Sequence, residues 1–232
     1  GMAPLRPEAS ATGSRTAILT IVILGQLLVG LVTIAHFGLD AVGSDFACFW
    51  AGAKTALHDP HRLYDFEYVT GLQGWPFGPT KIRPFIYPPS SLPLFIPFAL
   101  APYWVGYGLW AGLTGALFLW AGRKAGAPWW FILLAPVVFA AFCGQTTLLI
   151  GGLVIAGLVY LGPRPLVAGL LFGIAAAVKP QLVILVPVAL VAEGRWRTLV
   201  AAGCAAGGLA AASLAAWGLT PWLEWLSALQ RF

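Results

Sequence analysis

Side chains able to move a proton are concentrated between residues 38 and 88. This segment holds all eight Asp and Glu residues except Glu8, Glu193 and Glu224, and all three histidines except His36. A carboxylate placed beside a hydroxyl group can act as a general base. Asp45 directly precedes an apolar-periodic run over 46–57, so the sequence leaves open whether it is a base or only the N-cap of a short amphipathic helix. Asp40 and Asp65 are further carboxylates of the segment.

Metal binding is a weaker interpretation of the same segment. His58, Asp59 and His61 are close in sequence, but their spacing on the turn at Pro60 fits no standard metal site. The cysteines are few and far apart and have no CxxC spacing: Cys48, Cys143 and Cys204. They predict neither a disulfide framework nor a metal site and are expected to be small packing residues. We therefore expect no metal and no resident cofactor.

Two further polar side chains, Gln145 and Lys179, lie at junctions between apolar segments. Several of these segments are only about 12–16 residues long, whereas a simple span needs ~17–25. Such junctions are expected below the membrane surface, where irregular backbone is tolerated only if it is buried in protein or lines a water-filled cavity. We therefore expect Gly144-Gln145 and Lys179-Pro180 to border one outward-facing cavity.

The elements that must position these residues are membrane helices. The chain is 59% hydrophobic and 9% charged, with a mean hydropathy of +0.85. Soluble domains carry about 25% charged residues, so a water-facing surface cannot be built from so few. The net charge of +5 is spread singly between apolar segments, which argues against nucleic-acid binding. The composition predicts an all-α polytopic membrane protein.

The apolar segments can be placed along the chain. A cytoplasmic tail at 1–15 precedes a first helix at 16–37, and 16–232 forms a single bundle with an extracytoplasmic loop at 38–89. The later apolar segments are 90–101, 103–122, 128–143, 146–161, 165–178, 181–192 and 198–219. If 90–101 dips into the membrane without crossing, about seven spans remain. Small-residue pairs at Gly169/Gly173 and Gly203/Gly207 are expected to allow close helix contacts.

Basic residues between the spans predict the orientation. The positive-inside rule places three clusters in the cytoplasm, together with the N-terminus: Arg123-Lys124, Arg164 and Arg195/Arg197. Gln145, Lys179 and the C-terminal PWLEWLSALQRF then lie outside, on the same side as the loop at 38–89. We expect a multi-pass protein of the cell (inner or plasma) membrane.

Several motifs carry a family resemblance. In order, they are SDFACFWAGAKTAL, DPHRLYD, FIYPPSSLPLFIPFAL, CGQTTLLIGGLVIAG and RPLVAGLLFGIAAAVKPQLVILVPVALVAEGRWR. Over roughly 43–200 this order resembles glycosyltransferase family 87, whose members are GT-C type enzymes similar to polyprenyl-phosphate-mannose-dependent mannosyltransferases. The resemblance implies inverting transfer of a sugar, mannose, from a lipid-linked donor to a glycolipid or glycan acceptor at the extracytoplasmic face. Members are usually longer, so it also implies a missing C-terminal half that a partner chain could supply.

The resemblance also implies roles for individual residues. Asp45 matches the DF motif of the family and would be the catalytic base. Lys179, in the KP element, would bind the donor phosphate; the alternative is that it only snorkels to the interface. Lys81 and Arg83, just before the YPP turn, are candidates for the same phosphate, or else ordinary loop charges.

Two polar or aromatic residues are candidates for substrate contact. Tyr87 could stack against a sugar, although Tyr87-Pro88-Pro89 could equally serve only to fix an extended re-entry of the chain. Gln145 could donate a hydrogen bond to the sugar, or could join two helices. A second class of function stays open, namely a non-catalytic truncated relative or a transporter-like subunit. A transporter predicts internal repeats and charges near the midplane, and the sequence shows no clear repeat.

Overall fold

The computed structural model describes residues 8–37, 42–74 and 83–231, and the regular elements of these ranges are all helical. The α-helices are α1 (Glu8–Phe37), α2 (Ser44–His58), α3 (Phe66–Leu72), α4 (Leu92–Ala99), α5 (Tyr103–Lys124), α6 (Ala135–Cys143), α7 (Thr147–Tyr160), α8 (Pro165–Val178), α9 (Leu185–Ala192), α10 (Trp196–Trp217) and α11 (Thr220–Arg231). Short 3-10 turns lie at Pro60–Arg62, Pro89–Ser91, Trp129–Leu133 and Pro180–Leu182. The predicted all-α class is confirmed for this part of the chain.

The helices differ in whether they are long and apolar enough to cross a membrane. Within the described residues, α5 and α10, at 22 residues each, are long and apolar enough to cross a bilayer. Shorter apolar helical stretches are Leu19–Val32, α7 and α8. The eight residues of α4, within the predicted re-entrant segment at 90–101, extend only ~12 Å, less than the ~30 Å of a hydrocarbon core. The α1 helix begins at Glu8, inside the predicted tail. Seven spans and their orientation stay predictions.

The segment predicted as an extracytoplasmic loop with an amphipathic helix contributes many residues to the core. In α2, Phe46 and Phe49 are 1% and 2% exposed, and the small residues Ala51 and Ala53 are fully buried. Leu57, predicted on the apolar face, is instead 41% exposed. The helix is therefore packed on more than one side and is not a surface helix with a single apolar face, because its small residues allow neighbouring elements to approach closely.

The start of α2 is held by the ends of other helices. Its N-cap is Gly43, in the left-handed region at φ 70°, and not Asp45, which the sequence left open as a candidate N-cap; no side chain caps it. The Gly43 N–H donates to the carbonyl of Phe142 at 2.8 Å, and the Tyr103 hydroxyl donates to the Gly43 carbonyl at 2.6 Å. The first turn of α2 is therefore fixed against the C-terminal end of α6.

The basic clusters gather at one end of the bundle. Helices α8 and α10 are parallel, since Gly169 packs on Thr198 and Gly173 packs four residues further along, on Ala202. Their N-termini therefore lie at the same end, next to the Arg195 guanidinium, which donates to the Leu161 carbonyl at 3.3 Å. The C-terminal ends of α5 and α7 are also neighbours, with 6.2 Å between the ring centres of Trp120 and Tyr160.

Helix α8 approaches α10 closely at two glycines. A Cβ atom at Gly169 or Gly173 would overlap a backbone carbonyl of α10, so the first predicted pair is confirmed as a contact. Gly203 and Gly207 differ, because a Cβ atom at either would meet no heavy atom within 4 Å. The second pair was a wrong prediction for the part of the chain that the structure describes, where these glycines of α10 face no other helix closely.

Gly169→Ala is expected to destabilise the protein by about 1–3 kcal/mol, since the added methyl group forces two backbones apart. Gly203→Ala is the matched control on the facing helix and should be neutral or stabilising by up to ~1 kcal/mol, because Ala favours helix over Gly. Thermal unfolding of both variants in the same detergent measures the difference. Equal stability of the two variants would contradict the close contact at Gly169.

Candidate functional site

One cavity of about 330 Å³ opens where four parts of the chain meet. These parts are the first turns of α2, the segment at 83–87, the junction between α6 and α7, and the end of α8. The residues that line it are Ser44, Asp45, Cys48, Phe49, Arg83, Pro84, Ile86, Tyr87, Gln145, Thr147 and Lys179. We call it the site cavity.

The site cavity brings together five of the six residues that the sequence singled out. Asp45, Arg83, Tyr87, Gln145 and Lys179 all line it, although the first and last are far apart in the chain. The junctions at Gly144-Gln145 and Lys179-Pro180 thus border the same space. The sixth residue, Lys81, lies outside the described residues, as does Asp40.

Asp45 is half-buried in the first turn of α2, where the helix dipole favours a negative charge. The alternative role of Asp45 as the N-cap is contradicted, because Gly43 occupies that position and the Asp45 carboxylate makes no capping hydrogen bond. Its carboxylate faces the site cavity, where it can accept a proton from a bound hydroxyl group.

Asp65, another carboxylate of the segment, has a structural role. It is the N-cap of α3 and accepts a hydrogen bond from the Tyr68 N–H at 3.0 Å. It also pairs with Arg62 at 2.8 Å. The backbone hydrogen bond from Tyr68 and the bond from the Arg62 guanidinium hold the pKa of Asp65 below its usual value. Asp65 does not line the site cavity.

The backbone of Arg83 is held by two hydrogen bonds. Its N–H donates to the Thr70 hydroxyl at 3.1 Å, and its carbonyl accepts from the Gln73 amide at 2.8 Å. One guanidinium nitrogen, Nη1, is buried without a hydrogen-bond partner among the described residues. A buried unpaired donor is costly, so an anion in the site cavity would complete the arrangement.

The Lys179 side chain lies over the ring of Tyr87. The Lys179 ammonium lies 5.5 Å from the centre of the Tyr87 ring, within the range of a cation–π contact. The Tyr87 hydroxyl shares a hydrogen bond of 3.1 Å with the Thr146 hydroxyl, and the Tyr64 hydroxyl donates to the Tyr87 carbonyl at 2.7 Å. The ring is therefore fixed, and Lys179 adds a second cation to the wall of the site cavity.

Gln145 comes directly after the glycine that ends α6. Gly144 has φ 73° in the left-handed region, and its carbonyl accepts a hydrogen bond from the Trp110 indole at 2.9 Å. The Gln145 side-chain oxygen accepts from the Thr147 hydroxyl at 3.2 Å. Because Thr147 also lines the site cavity, this bond belongs to the cavity wall and does not join separate helices.

Cys48 is a site residue that the sequence did not reveal. Its thiol lines the site cavity and donates to the Asp45 carbonyl at 3.1 Å. Burial raises the pKa of Cys48, and the Asp45 carboxylate raises it further, whereas Arg83 and Lys179 act in the opposite direction. The spacing of three residues from Asp45 on a helix places both on one face and could have indicated this position.

The Cys48 thiol offers a test of the geometry that does not depend on activity. In a protein carrying Cys143→Ala and Cys204→Ala, alkylation at a fixed alkaline pH should be faster after Asp45→Asn, since losing the carboxylate lowers the Cys48 pKa. Arg83→Gln should slow it, because the loss of a cation raises that pKa. Identical alkylation rates in all three proteins would contradict the close placement of these charges.

Comparison with known families agrees with the sequence motifs. The sequence profile described as glycosyltransferase family 87 matches residues 85–232. No curated protein and no solved structure matches the chain. The matched range begins later than the predicted 43–200, and it includes Tyr87, Gln145 and Lys179 but not Asp45. The place of Asp45 beside the matched residues therefore rests on the geometry of the site cavity.

Proposed function

The chain belongs to glycosyltransferase family 87, and we propose that it moves mannose from a polyprenyl-phosphate donor to a glycolipid or glycan acceptor. In this proposal the reaction takes place at the extracytoplasmic face of the cell membrane. One observation carries it: a carboxylate and two cations line the same cavity of about 330 Å³. That set of charges suits a reaction in which a hydroxyl group loses a proton and a phosphate leaves as an anion.

The Asp45 carboxylate would act as the general base. As it takes the proton from the acceptor hydroxyl, the hydroxyl oxygen bonds to the anomeric carbon of the sugar. The bond from that carbon to the donor phosphate breaks on the opposite face, and its electron pair leaves with the polyprenyl phosphate. Attack from the face opposite the leaving group inverts the anomeric configuration. The donor carries the activated sugar, so the proposal needs no resident cofactor.

Arg83 and Lys179 would stabilise the departing phosphate. Arg83 offers a planar fork that can donate two parallel hydrogen bonds to phosphate oxygens, and its buried Nη1 still has no partner in the described structure. Lys179 supplies a compact positive charge from the end of α8. Fixed donors of this kind stabilise charge that develops in the transition state without having to reorganise.

A neighbouring cavity supports a lipid-linked donor. It measures about 470 Å³, shares Ile86 and Tyr87 with the site cavity, and is lined largely by apolar residues. Its other lining residues are Pro88, Val178, Pro180, Gln181, Ile184, Trp225 and Leu229. A polar cavity next to an apolar one suits an amphiphile with a sugar-phosphate head and a prenyl tail.

The sugar would contact Tyr87 and Gln145. The Tyr87 ring is held at its hydroxyl and at its backbone carbonyl, so it presents a fixed aromatic surface. The side-chain amide of Gln145 can exchange hydrogen bonds with sugar hydroxyls. These contacts would orient the anomeric carbon between Asp45 and the two cations.

A transfer assay tests the proposal. The protein in nanodiscs is incubated with radiolabelled polyprenyl-phosphate mannose and octyl mannoside as an acceptor probe, and labelled glycoside is separated from donor. We expect labelled product from this donor and none from a nucleoside-diphosphate mannose. Use of the nucleotide sugar would contradict the donor class. Donor binding without turnover for any acceptor would favour the alternative of a non-catalytic subunit.

A further inference from the structure

A second charged cavity lies at the opposite end of α8 from the site cavity. Lys179, immediately after α8, lines the site cavity, whereas Arg164 immediately precedes the helix. The 14 residues between them extend ~21 Å at 1.5 Å per residue. The two cavities share no lining residue, so the second is separate from the proposed chemistry.

This second cavity is basic. It measures about 530 Å³ and is lined by Arg164, Pro165, Leu166, Val167 and Arg197. We call it the arginine cavity. No carboxylate lines it, and neither arginine forms an ion pair with a carboxylate of the described residues. Among the described residues, the Arg164 guanidinium makes a distant contact with the Tyr160 ring, 5.7 Å from its centre.

The neighbouring Arg195, by contrast, has a side chain that is hydrogen-bonded within the protein. Its side chain donates to the Glu193 carboxylate at 3.1 Å and to the Leu161 carbonyl at 3.3 Å. Arg164 and Arg197 have no comparable partners within the described structure and are exposed. Their guanidinium groups can therefore bind an external anion without first breaking an ion pair.

Two helix N-termini add to the positive potential. Because α8 and α10 are parallel, their first turns lie at the same end, and neither start has a capping side-chain hydrogen bond. The unpaired N–H groups of a first helical turn carry a partial positive charge that favours anions. This contribution acts in the same direction as the two arginines.

The surface beside the arginine cavity is apolar. Leu166 is 60% exposed and Leu170, one turn further along α8, is 47% exposed. On α10, Val200 is 63% exposed, and Trp196 presents an amphipathic ring next to Arg197. A ligand that matches both the arginine cavity and the adjoining apolar surface has an anionic head and an apolar tail. Free phosphate lacks the tail.

We propose that the arginine cavity binds the phosphate headgroup of an anionic bilayer phospholipid, whose acyl chains lie along the exposed apolar side chains of α8 and α10. The headgroup phosphate receives hydrogen bonds from Arg164 and Arg197. This site is independent of the proposed sugar transfer, because it uses neither Asp45 nor the cations of the site cavity. Basic pockets between membrane helices are suited to such lipids.

The test measures binding of short-chain phosphatidylglycerol to the full chain in detergent, by native mass spectrometry. The double variant Arg164→Gln, Arg197→Gln should weaken binding by more than about 10-fold, since it loses the charge-assisted hydrogen bonds of both guanidinium groups to the phosphate. Arg123→Gln is the matched control: it is exposed at the same end, but its guanidinium donates to the Ala127 carbonyl at 2.8 Å and does not line the cavity. This variant should keep parental affinity.

Two further measurements separate the possible outcomes. Thermal unfolding of the double variant in the same detergent should match the parental protein, which shows that lost binding does not come from unfolding. Inorganic phosphate at matched concentration should compete weakly, because it lacks the acyl chains. Parental affinity in the double variant overturns the site, and equal binding of inorganic phosphate overturns its assignment to a phospholipid.

Discussion

Asp45→Asn is expected to lower the rate of sugar transfer by about 10²–10⁴-fold, the range typical of general-base catalysis. Asparagine keeps the size of the side chain and its place in the first turn of α2, but cannot accept the hydroxyl proton. Donor affinity should change little, because the carboxylate does not hold the phosphate. Stability should also change little, since Gly43 and not Asp45 caps the helix.

Asp65→Asn is the matched control for this loss. Asp65 is a carboxylate of the same segment, but it caps α3 and pairs with Arg62 outside the site cavity. Asparagine is nearly as good an N-cap as aspartate, so this variant should retain both stability and transfer. Single-turnover transfer with bound donor measures both variants. A parental rate in Asp45→Asn would remove Asp45 as the base.

Lys179→Ala and Arg83→Gln are each expected to weaken donor binding about 10- to 150-fold. A hydrogen bond to a charged group contributes about 1.5–3 kcal/mol, which corresponds to that range. Both variants remove a cation that the departing phosphate would contact. They should therefore also slow transfer at saturating donor, because the leaving group gains negative charge in the transition state.

Lys54→Ala provides the control for the loss of a lysine. The Lys54 ammonium lies 4.7 Å from the centre of the Trp50 ring, so it makes a cation–π contact like that of Lys179, but it does not line the site cavity. Farnesyl phosphate can serve as the ligand probe in calorimetric titrations of all three variants. Unchanged affinity in Lys179→Ala would reduce that lysine to an interface anchor.

The helix positions could be predicted where apolar segments are bounded by strong local signals. Segments 146–161 and 165–178 correspond to α7 and α8, because Pro165 starts one helix and Lys179-Pro180 ends it. Proline is favoured in the first turn of a helix and disfavours helix for the residue before it, so Pro165 and Pro180 indicate these boundaries from the local sequence; Pro97, inside α4, is an exception. The junctions at Gln145 and Lys179 could be assigned to a cavity because short spans leave backbone that must be buried or solvated.

Features that depend on long-range contacts could not be predicted. The burial of α2 results from packing against Phe85 and α4, which follow it in the chain. The polar residues that flank α2 suggested exposure, because the local sequence does not reveal these later contacts. The N-cap at Gly43 depends on a backbone bond to Phe142, about a hundred residues away. The Cys48 thiol became a site residue only because Arg83 and Lys179 approach the same face.

The most direct test of the central claim is a cryo-electron microscopy structure of the protein with a phosphonate analogue of polyprenyl-phosphate mannose. The site cavity should contain the phosphonate between Arg83 and Lys179, with the anomeric carbon facing Asp45 and the prenyl chain entering the cavity beside Trp225. Density for the sugar-phosphonate head elsewhere, such as in the apolar cavity between Phe172 and Ala206, would contradict the account.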